Sequence, residues 1–130
     1  MVIDTSALIA ILLGEEEGKE FMALLVKTRP IRISAASYFE AAIIADRRGD
    51  AVTRSVLDSF LEEFSIQVEP VTFDQAKIAR QAYDYFGKGR HPAGLNYADC
   101  FSYALAKSTR EPLLFKGNDF SKTDLVSAAA

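Results

Sequence analysis

The sequence contains very few residues that bind soft metals or form disulfides. Among 130 residues there is one cysteine, Cys100, one histidine, His91, and no tryptophan. A single cysteine excludes a disulfide within the chain, which is typical of proteins of a reducing cytoplasm. One cysteine and one histidine are also too few for a zinc site that is built from these residue types. We therefore expect neither a disulfide scaffold nor a zinc site.

Long apolar runs are missing as well. The longest one, Ala7–Leu13, is far shorter than the roughly 20 residues that a membrane-spanning helix needs. The N-terminal segment lacks the basic residues of a signal peptide and carries Asp4 instead. We therefore expect a cytoplasmic protein without a membrane segment. The net charge of −3 argues against a general nucleic-acid coat protein but allows a local basic patch.

The composition is that of a soluble globular protein, with 49% hydrophobic and 25% charged residues, and the length suits one domain over residues 1–130. The chain alternates between strand and helix patterns, which predicts an α/β fold with a short, mainly parallel sheet. Strands are predicted at Val2–Asp4, Ile31–Ser34, Ile66–Val68 and Leu113–Phe115. Helices are predicted at Ser6–Leu12, Glu15–Thr28, Ala36–Arg48 (with Gly49 at its C-terminus), Ala51–Glu63, Phe73–Phe86 and Tyr97–Lys107.

Four acidic residues from distant parts of the chain are predicted at one edge of this sheet. Asp4 ends the first strand, and Asp119 follows the last strand closely. Glu40 lies early in the helix after the second strand, and Asp99 lies in the first turn of the helix after a glycine-rich loop. Since ligands bind at the carboxyl ends of parallel strands, these acids are candidates for one site.

Each acid also has a purely structural interpretation as a helix cap. Asp4 could cap the first helix, and Asp119 could cap a short terminal turn. Asp99 follows Asn96 by three residues, which is the spacing of a capped first turn.

Glu40 follows Ser37 by three residues, the spacing of a capping box. However, Glu40 shares a helical face with Ala36, Ile43 and Ile44, and we predict that this face is buried. A capping glutamate would point to solvent, so the burial of this face favours a functional role for Glu40.

Carboxylates gathered at one edge repel one another unless a cation neutralises them. A ligand set made only of oxygen suits Mg²⁺ or Mn²⁺ rather than zinc or copper. Such ions commonly orient a water, lower its pKa and stabilise negative charge on phosphorus. The residues therefore favour metal-dependent hydrolysis of a phosphoester.

Four segments together resemble a PIN-domain ribonuclease of the VapC toxin type, from type II toxin–antitoxin systems. They occur in the order of that family and span nearly the whole chain: "VIDTSAL", "SAASYFEAA", "HPAGLNYADCFSYALAK" and "LLFKGNDFSKTDL". The resemblance implies a three-layer α/β/α domain and an endoribonuclease that depends on Mg²⁺ or Mn²⁺.

The resemblance also implies the roles of individual residues. Asp4, Glu40 and Asp99 match the acidic triad of the family, with Asp4 and Asp99 as the most direct metal ligands. The side chains that would support these ligands are Thr5, Ser6 and Asn96. Many members have a fourth acid at the position of Gly117, so Asp119 is the candidate here, with Asn118 as a substitute.

The resemblance further implies a VapB-type antitoxin that blocks the acidic site, a homodimer and a toxin–antitoxin hetero-oligomer. The helices that begin at Glu15 and Ala36 are candidate contact surfaces, although ordinary core packing also explains their apolar faces.

An RNA substrate needs positive charge around the acids, and Arg90 and Lys116 are the candidate contacts. Tyr97 and Tyr103 could stack on bases, although we expect at least one of them to pack in the core.

Two other functions are compatible with parts of this pattern. A receiver domain shares the length and the α/β alternation, but it needs an adjacent acidic pair, and apolar Ile3 precedes Asp4. A PIN-like binding module without activity would lack some of the acids, whereas the triad is complete here.

Overall fold

The computed structural model describes residues 1–47 and 51–129, so Arg48 and Gly49, at the predicted end of the third helix, lie outside the described residues. The strands are β1 (Val2–Ile3), β2 (Arg32–Ser34), β3 (Gln67–Glu69) and β4 (Leu113–Leu114). The helices are α1 (Thr5–Leu12), α2 (Gly18–Lys27), α3 (Ala35–Arg47), α4 (Ala51–Glu63), α5 (Phe73–Phe86) and α6 (Asp99–Thr109), followed by a 3₁₀ turn at Phe120–Lys122. None of the described helices is long and apolar enough to cross a lipid bilayer.

The predicted elements are all present, and two helices begin later than predicted. α2 begins at Gly18 because Gly14 turns the chain with φ +68° and the N–H of Glu15 bonds back to the carbonyl of Ala10. Gly18 then packs directly on α1: a Cβ there would lie 2.6 Å from the carbonyl oxygen of Ala10. Only glycine allows the two helices to approach so closely.

The four strands form a parallel sheet in the order β3-β2-β1-β4. Val2 pairs with Arg32 on one side and with Leu113 on the other, so β1 lies inside the sheet. The N–H of Asp4 donates to the carbonyl of Leu114 at 2.9 Å. The backbone of Asp4 is therefore held by the ladder at the point where β1 ends.

Both faces of the sheet are buried, as the alternation of side chains along a strand requires. Ile3 and Leu114 point into an apolar cluster with residues from α1 to α4, whereas Val2 and Leu113 point into a second cluster with α5 and α6. All four side chains are fully buried. The predicted three-layer α/β/α architecture is confirmed.

At the amino ends of the strands, opposite the predicted site, Arg32 connects three elements. Its guanidinium lies 2.7 Å from Glu111 and 2.9 Å from Glu69, and Glu111 also contacts the amino group of Met1. Burial disfavours the charged form of Glu111, but the hydrogen bonds from the Met1 amino group and from Arg32 outweigh this effect. Together they hold the pKa of Glu111 below its ordinary value.

We expect Glu111→Gln to lower the stability of the folded chain at neutral pH and to have no effect in acid. A carboxylate with a lowered pKa stabilises the folded state above its unfolded pKa of about 4.3, and this stabilisation disappears as the pH falls through the folded pKa. Solvent screening limits the loss at neutral pH to about 1 kcal/mol or less. Denaturant unfolding of both proteins at neutral pH and at about pH 3 measures the difference.

The exposed Glu62 of α4 provides the matched control, and Glu62→Gln should change stability at neither pH. A loss in Glu111→Gln that is equal at both pH values would contradict the ionic origin of the effect.

Candidate active site

Asp4 lies where β1 ends and α1 begins, and it performs two roles. Its backbone is extended, with φ −84° and ψ 157°, and its Oδ2 accepts hydrogen bonds from the N–H and the hydroxyl of Ser6 at 3.0 and 2.7 Å. The helix-cap interpretation is therefore correct. A cap alone would be exposed, however, and Asp4 is only 4% exposed, without an ion pair among the described residues.

A buried serine pair, which the sequence analysis did not identify, holds the other oxygen of Asp4. The hydroxyl of Ser102 on α6 donates to Oδ1 of Asp4, and Ser37 on α3 lies 3.0 Å from Ser102. Ser102 is fully buried and Ser37 is 3% exposed. The available signal is a hydroxyl within the apolar segment of α6, three residues after Asp99.

Of the residues predicted to support the acids, Ser6 bonds directly to Asp4, whereas Thr5 bonds to α3. The hydroxyl of Thr5 donates to the carbonyl of Ser37 at 3.0 Å and so ties the start of α1 to α3. The hydroxyl of Ser6 accepts the N–H of Lys116 at 3.0 Å, which ties the segment after β4 to Asp4. The polar side chains around Asp4 therefore link three elements that carry acids.

Glu40 is more exposed than the sequence analysis predicts. The buried face of α3 contains Ser37, Ala41 and Ala45, whereas Glu40 is half-buried and Ile43 is 37% exposed. The prediction that the face of Glu40 is buried is wrong, because α3 packs on the core through its small residues.

The capping-box interpretation of Glu40 is also wrong. Ser37 lies inside α3 and its hydroxyl contacts Ser102 instead of the backbone of the first turn. Glu40 lines an open groove between α3 and α6, which we call the α3–α6 groove and define by Phe39, Glu40, Ile43, Tyr97 and Phe101.

Asp99 is the first residue of α6 and is half-buried. It exchanges two hydrogen bonds with Asn96: its carboxylate accepts the N–H of Asn96 at 3.0 Å, and the amide oxygen of Asn96 accepts the N–H of Asp99 at 2.8 Å. The predicted Asn96 cap is therefore present, and the regular helix that follows it begins at Asp99.

The pKa of Asp99 is raised to about 6, and the causes show which groups surround it. Burial is the largest cause, and the hydrogen bond from Asn96 opposes it. The negative charges of Asp4, Asp119 and Glu40 raise the pKa further. Three carboxylates from other parts of the chain therefore lie close enough to Asp99 to act on its charge.

Asp119 is exposed and precedes the 3₁₀ turn, but its side chain makes no capping hydrogen bond there. Asn118 is also exposed, and its carbonyl accepts the hydroxyl of Ser121 at 2.6 Å. Of these two residues, only Asp119 contributes to the raised pKa of Asp99.

The residue types at this edge fit a hard divalent cation, since four carboxylates and neighbouring hydroxyls offer only oxygen ligands. Within residues 1–47 and 51–129, no three acidic, histidine or cysteine side chains are already arranged as a metal-binding group. The charges of the other three acids act on Asp99, but the described side chains do not form a coordination shell.

Both cations predicted to contact RNA are engaged in ion pairs. Lys116 lies 2.6 Å from Glu15 and 3.7 Å from Glu17, and Arg90 lies 2.8 Å from Asp84. Of these two, Lys116 lies beside the acids, since its N–H contacts Ser6.

The two tyrosines that could stack on bases differ in exposure. Tyr97 is 78% exposed and packs edge-on against Phe101 with ring centroids 4.9 Å apart. Tyr103 is 6% exposed and donates its hydroxyl to Asp124 at 2.7 Å. Tyr103 is thus the core residue of the pair, and Tyr97 is available to a ligand.

Comparison with known proteins agrees with this architecture. The family model described as "PIN domain" matches residues 1–126. A relative from Mycobacterium tuberculosis, named Ribonuclease VapC28, is 50% identical over 129 residues, which cover 98% of this chain and 97% of the relative.

Two solved structures share the fold with the chain. The Mycobacterium tuberculosis toxin VapC20, described as cleaving the sarcin–ricin loop, superimposes with a TM-score of 0.74 at 21% identity and covers 98% of this chain and 97% of that one. A toxin–antitoxin complex from Klebsiella pneumoniae gives a TM-score of 0.76 at 19% identity, with coverage of 99% and 97%. The family model matches nearly the full length of the chain, and the relative VapC28 is 50% identical to it. Together with the carboxylates at the carboxyl edge of the parallel sheet, these matches show that the chain belongs to the PIN-domain family and, within it, to the VapC ribonucleases.

Proposed function

We propose that this protein is an endoribonuclease toxin that uses Mg²⁺ or Mn²⁺ to hydrolyse phosphodiester bonds in RNA. The observation that supports this proposal is that Asp4, Glu40 and Asp119 each lie near enough to Asp99 for their charges to raise its pKa. Membership in the family supports RNA as the substrate.

Asp4 and Asp99 are the most direct ligands of the cation in this proposal, and Asp119 is the fourth acid. Glu40 either completes the ligand set or orients the attacking water. When bound, the ion supplies a water of lowered pKa and a positive charge opposite the phosphate oxygens. The all-oxygen ligand set favours Mg²⁺ or Mn²⁺ over softer metals.

Asp4 and Glu40 have different surroundings, one held by hydrogen bonds and the other accessible to solvent. Asp4 is buried and held by Ser6 and Ser102, so its position is fixed before substrate arrives. Glu40 lies at the wall of the open α3–α6 groove, where its carboxylate can accept a hydrogen bond from a water beside the substrate.

The α3–α6 groove provides a surface for a single strand of RNA next to these acids. Tyr97 projects from it with an exposed ring, and Arg47 lines the same groove. An exposed aromatic ring stacks on any base, and a guanidinium neutralises phosphate charge. Arg90 and Lys116 would add phosphate contacts if phosphate groups replaced the carboxylates with which they now form ion pairs.

We further propose a VapB-type antitoxin as the partner, together with a homodimer and a toxin–antitoxin hetero-oligomer. The similarity to a toxin–antitoxin complex supports this assignment. Exposed apolar side chains on both predicted contact helices are consistent with it, since Val26 of α2 and Phe39 of α3 are each 66% exposed.

Substitution of the acids tests the metal-dependent chemistry. We expect Asp4→Asn and Asp99→Asn to reduce cleavage of a mixed RNA panel in Mn²⁺ by about 100-fold or more, because each removes a charge from the site. Removal of the metal with EDTA should abolish cleavage by the wild type. The exposed Asp74 of α5 offers the control Asp74→Asn, which should cleave normally.

Equal cleavage by the wild type and Asp4→Asn would contradict the proposal. Metal-independent cleavage would contradict the role of the cation, and the absence of any cleavage would favour a binding module without activity.

A comparison of Asp119→Asn with Asn118→Ala tests which residue is the fourth acid. Because Asp119 carries a charge that acts on Asp99 and Asn118 carries none, we expect Asp119→Asn to weaken Mn²⁺ binding roughly tenfold and Asn118→Ala to leave it unchanged. Calorimetric titration with Mn²⁺ measures both, and the reverse order would transfer the role to Asn118.

Replacement of Tyr97 by Ala tests RNA binding in the α3–α6 groove. Loss of one stacked base should raise KM roughly tenfold with little change in kcat, since the acids are untouched. Tyr85 of α5 is similarly exposed at 67% and lines no part of this groove, so Tyr85→Ala is the matched control. A similar KM for all three proteins would exclude stacking on Tyr97.

A further inference from the structure

The hydrogen bonds around Asp4 leave it a single free acceptor position. An ionised carboxylate offers about four lone-pair positions on its two oxygens. The N–H and the hydroxyl of Ser6 occupy both positions of Oδ2, and the hydroxyl of Ser102 occupies one position of Oδ1. Among the described residues no other group bonds to Asp4, so one lone pair of Oδ1 is open.

The direction of the hydrogen bonds in the serine pair follows from the same count. A serine hydroxyl has one proton to donate. Ser102 gives its proton to Asp4, so in the 3.0 Å contact between the two hydroxyls the donor is Ser37. The pair therefore forms a directed relay, Ser37 to Ser102 to Asp4.

Each serine of this relay lies about one helical turn from another acid of the site. Ser37 precedes Glu40 by three residues on α3, and Ser102 follows Asp99 by three residues on α6. Because residues three apart lie on neighbouring positions of a helix surface, the relay joins the two acid-bearing helices to Asp4.

The relay lies where water does not compete with it. Both serines are buried, and no buried side-chain nitrogen or oxygen among the described residues lacks a hydrogen-bond partner. A buried hydroxyl that already donates its single proton cannot change partner without leaving a polar group unsatisfied. The orientation of the Asp4 carboxylate is thus held from inside the protein.

We propose that Ser102, oriented by Ser37, is a positioning residue that restricts Asp4 to binding the cation through one lone pair of Oδ1. This inference rests on the proposed metal-dependent function. It adds to that function how the carboxylate of Asp4 is oriented for binding the cation. Ser102 does not itself bind the ion in this proposal, because its hydroxyl is fully buried.

Direct Mn²⁺ binding to the RNA-free protein tests the proposal. Ser102→Ala should weaken Mn²⁺ binding about tenfold in protein that circular dichroism shows to be folded, as is typical when a group that orients a metal ligand is lost. Ser102→Thr restores the hydroxyl and should bind Mn²⁺ nearly as well as the wild type. Ser108→Ala makes the same change on the same helix and should have no effect, since the one hydrogen bond of this hydroxyl within the described part of the chain is to the carbonyl of Leu105.

A double-mutant cycle with Ser37 separates a relay from two independent contributions. Ser37→Ala alone should weaken Mn²⁺ binding about threefold, and Ser37→Ala should cause no further loss in the Ser102→Ala background. Losses that multiply in the double variant would overturn the relay. If Ser102→Ala does not fold, unchanged Mn²⁺ binding by Ser37→Ala overturns it equally.

The wild-type titration distinguishes failure of this proposal from failure of the proposed function. A wild type that binds no Mn²⁺ overturns both. A wild type that binds Mn²⁺ with a Kd equal to that of Ser102→Ala overturns only the positioning role.

Discussion

The structure depends on one buried charge, the carboxylate of Asp4. Removal of a carboxylate from water costs several kcal/mol unless hydrogen bonds and a counter-charge offset it. Here three hydrogen bonds from Ser6 and Ser102 satisfy most of the carboxylate, and no ion pair among the described residues neutralises it. The fold thus maintains a buried acidic group at the point where β1 ends, without a positive partner among the described residues.

The parallel sheet explains why this charge has acidic neighbours. β1 ends at Asp4, α3 follows β2 directly, and the segment after β4 returns to the same edge. This topology brings Asp4, Glu40 and Asp119 near Asp99, and their charges raise its pKa. Repulsion between neighbouring carboxylates in general favours the binding of a divalent cation, since the ion relieves it.

Much of this could be predicted because the relevant signals are local. The boundaries of α4 and α5 follow directly from hydrophobic periodicity, and Asp4, Glu40 and Asp99 were identified from motifs within short segments. The burial of the Glu40 face was predicted incorrectly, because periodicity shows that α3 is amphipathic without showing which residues touch the core. Small residues, Ser37, Ala41 and Ala45, make that contact.

By itself the sequence determined the α/β class, the order of the elements, the oxygen-only character of the site and the family to which the chain belongs. Only the tertiary structure decided that Ser102 and Ser37 hold Asp4, that Glu40 faces an open groove, and that Tyr97 rather than Tyr103 is exposed. The reason is the range of the interactions. Caps and periodicity act within a few residues, whereas the contact between Ser102 and Asp4 joins residues 98 positions apart.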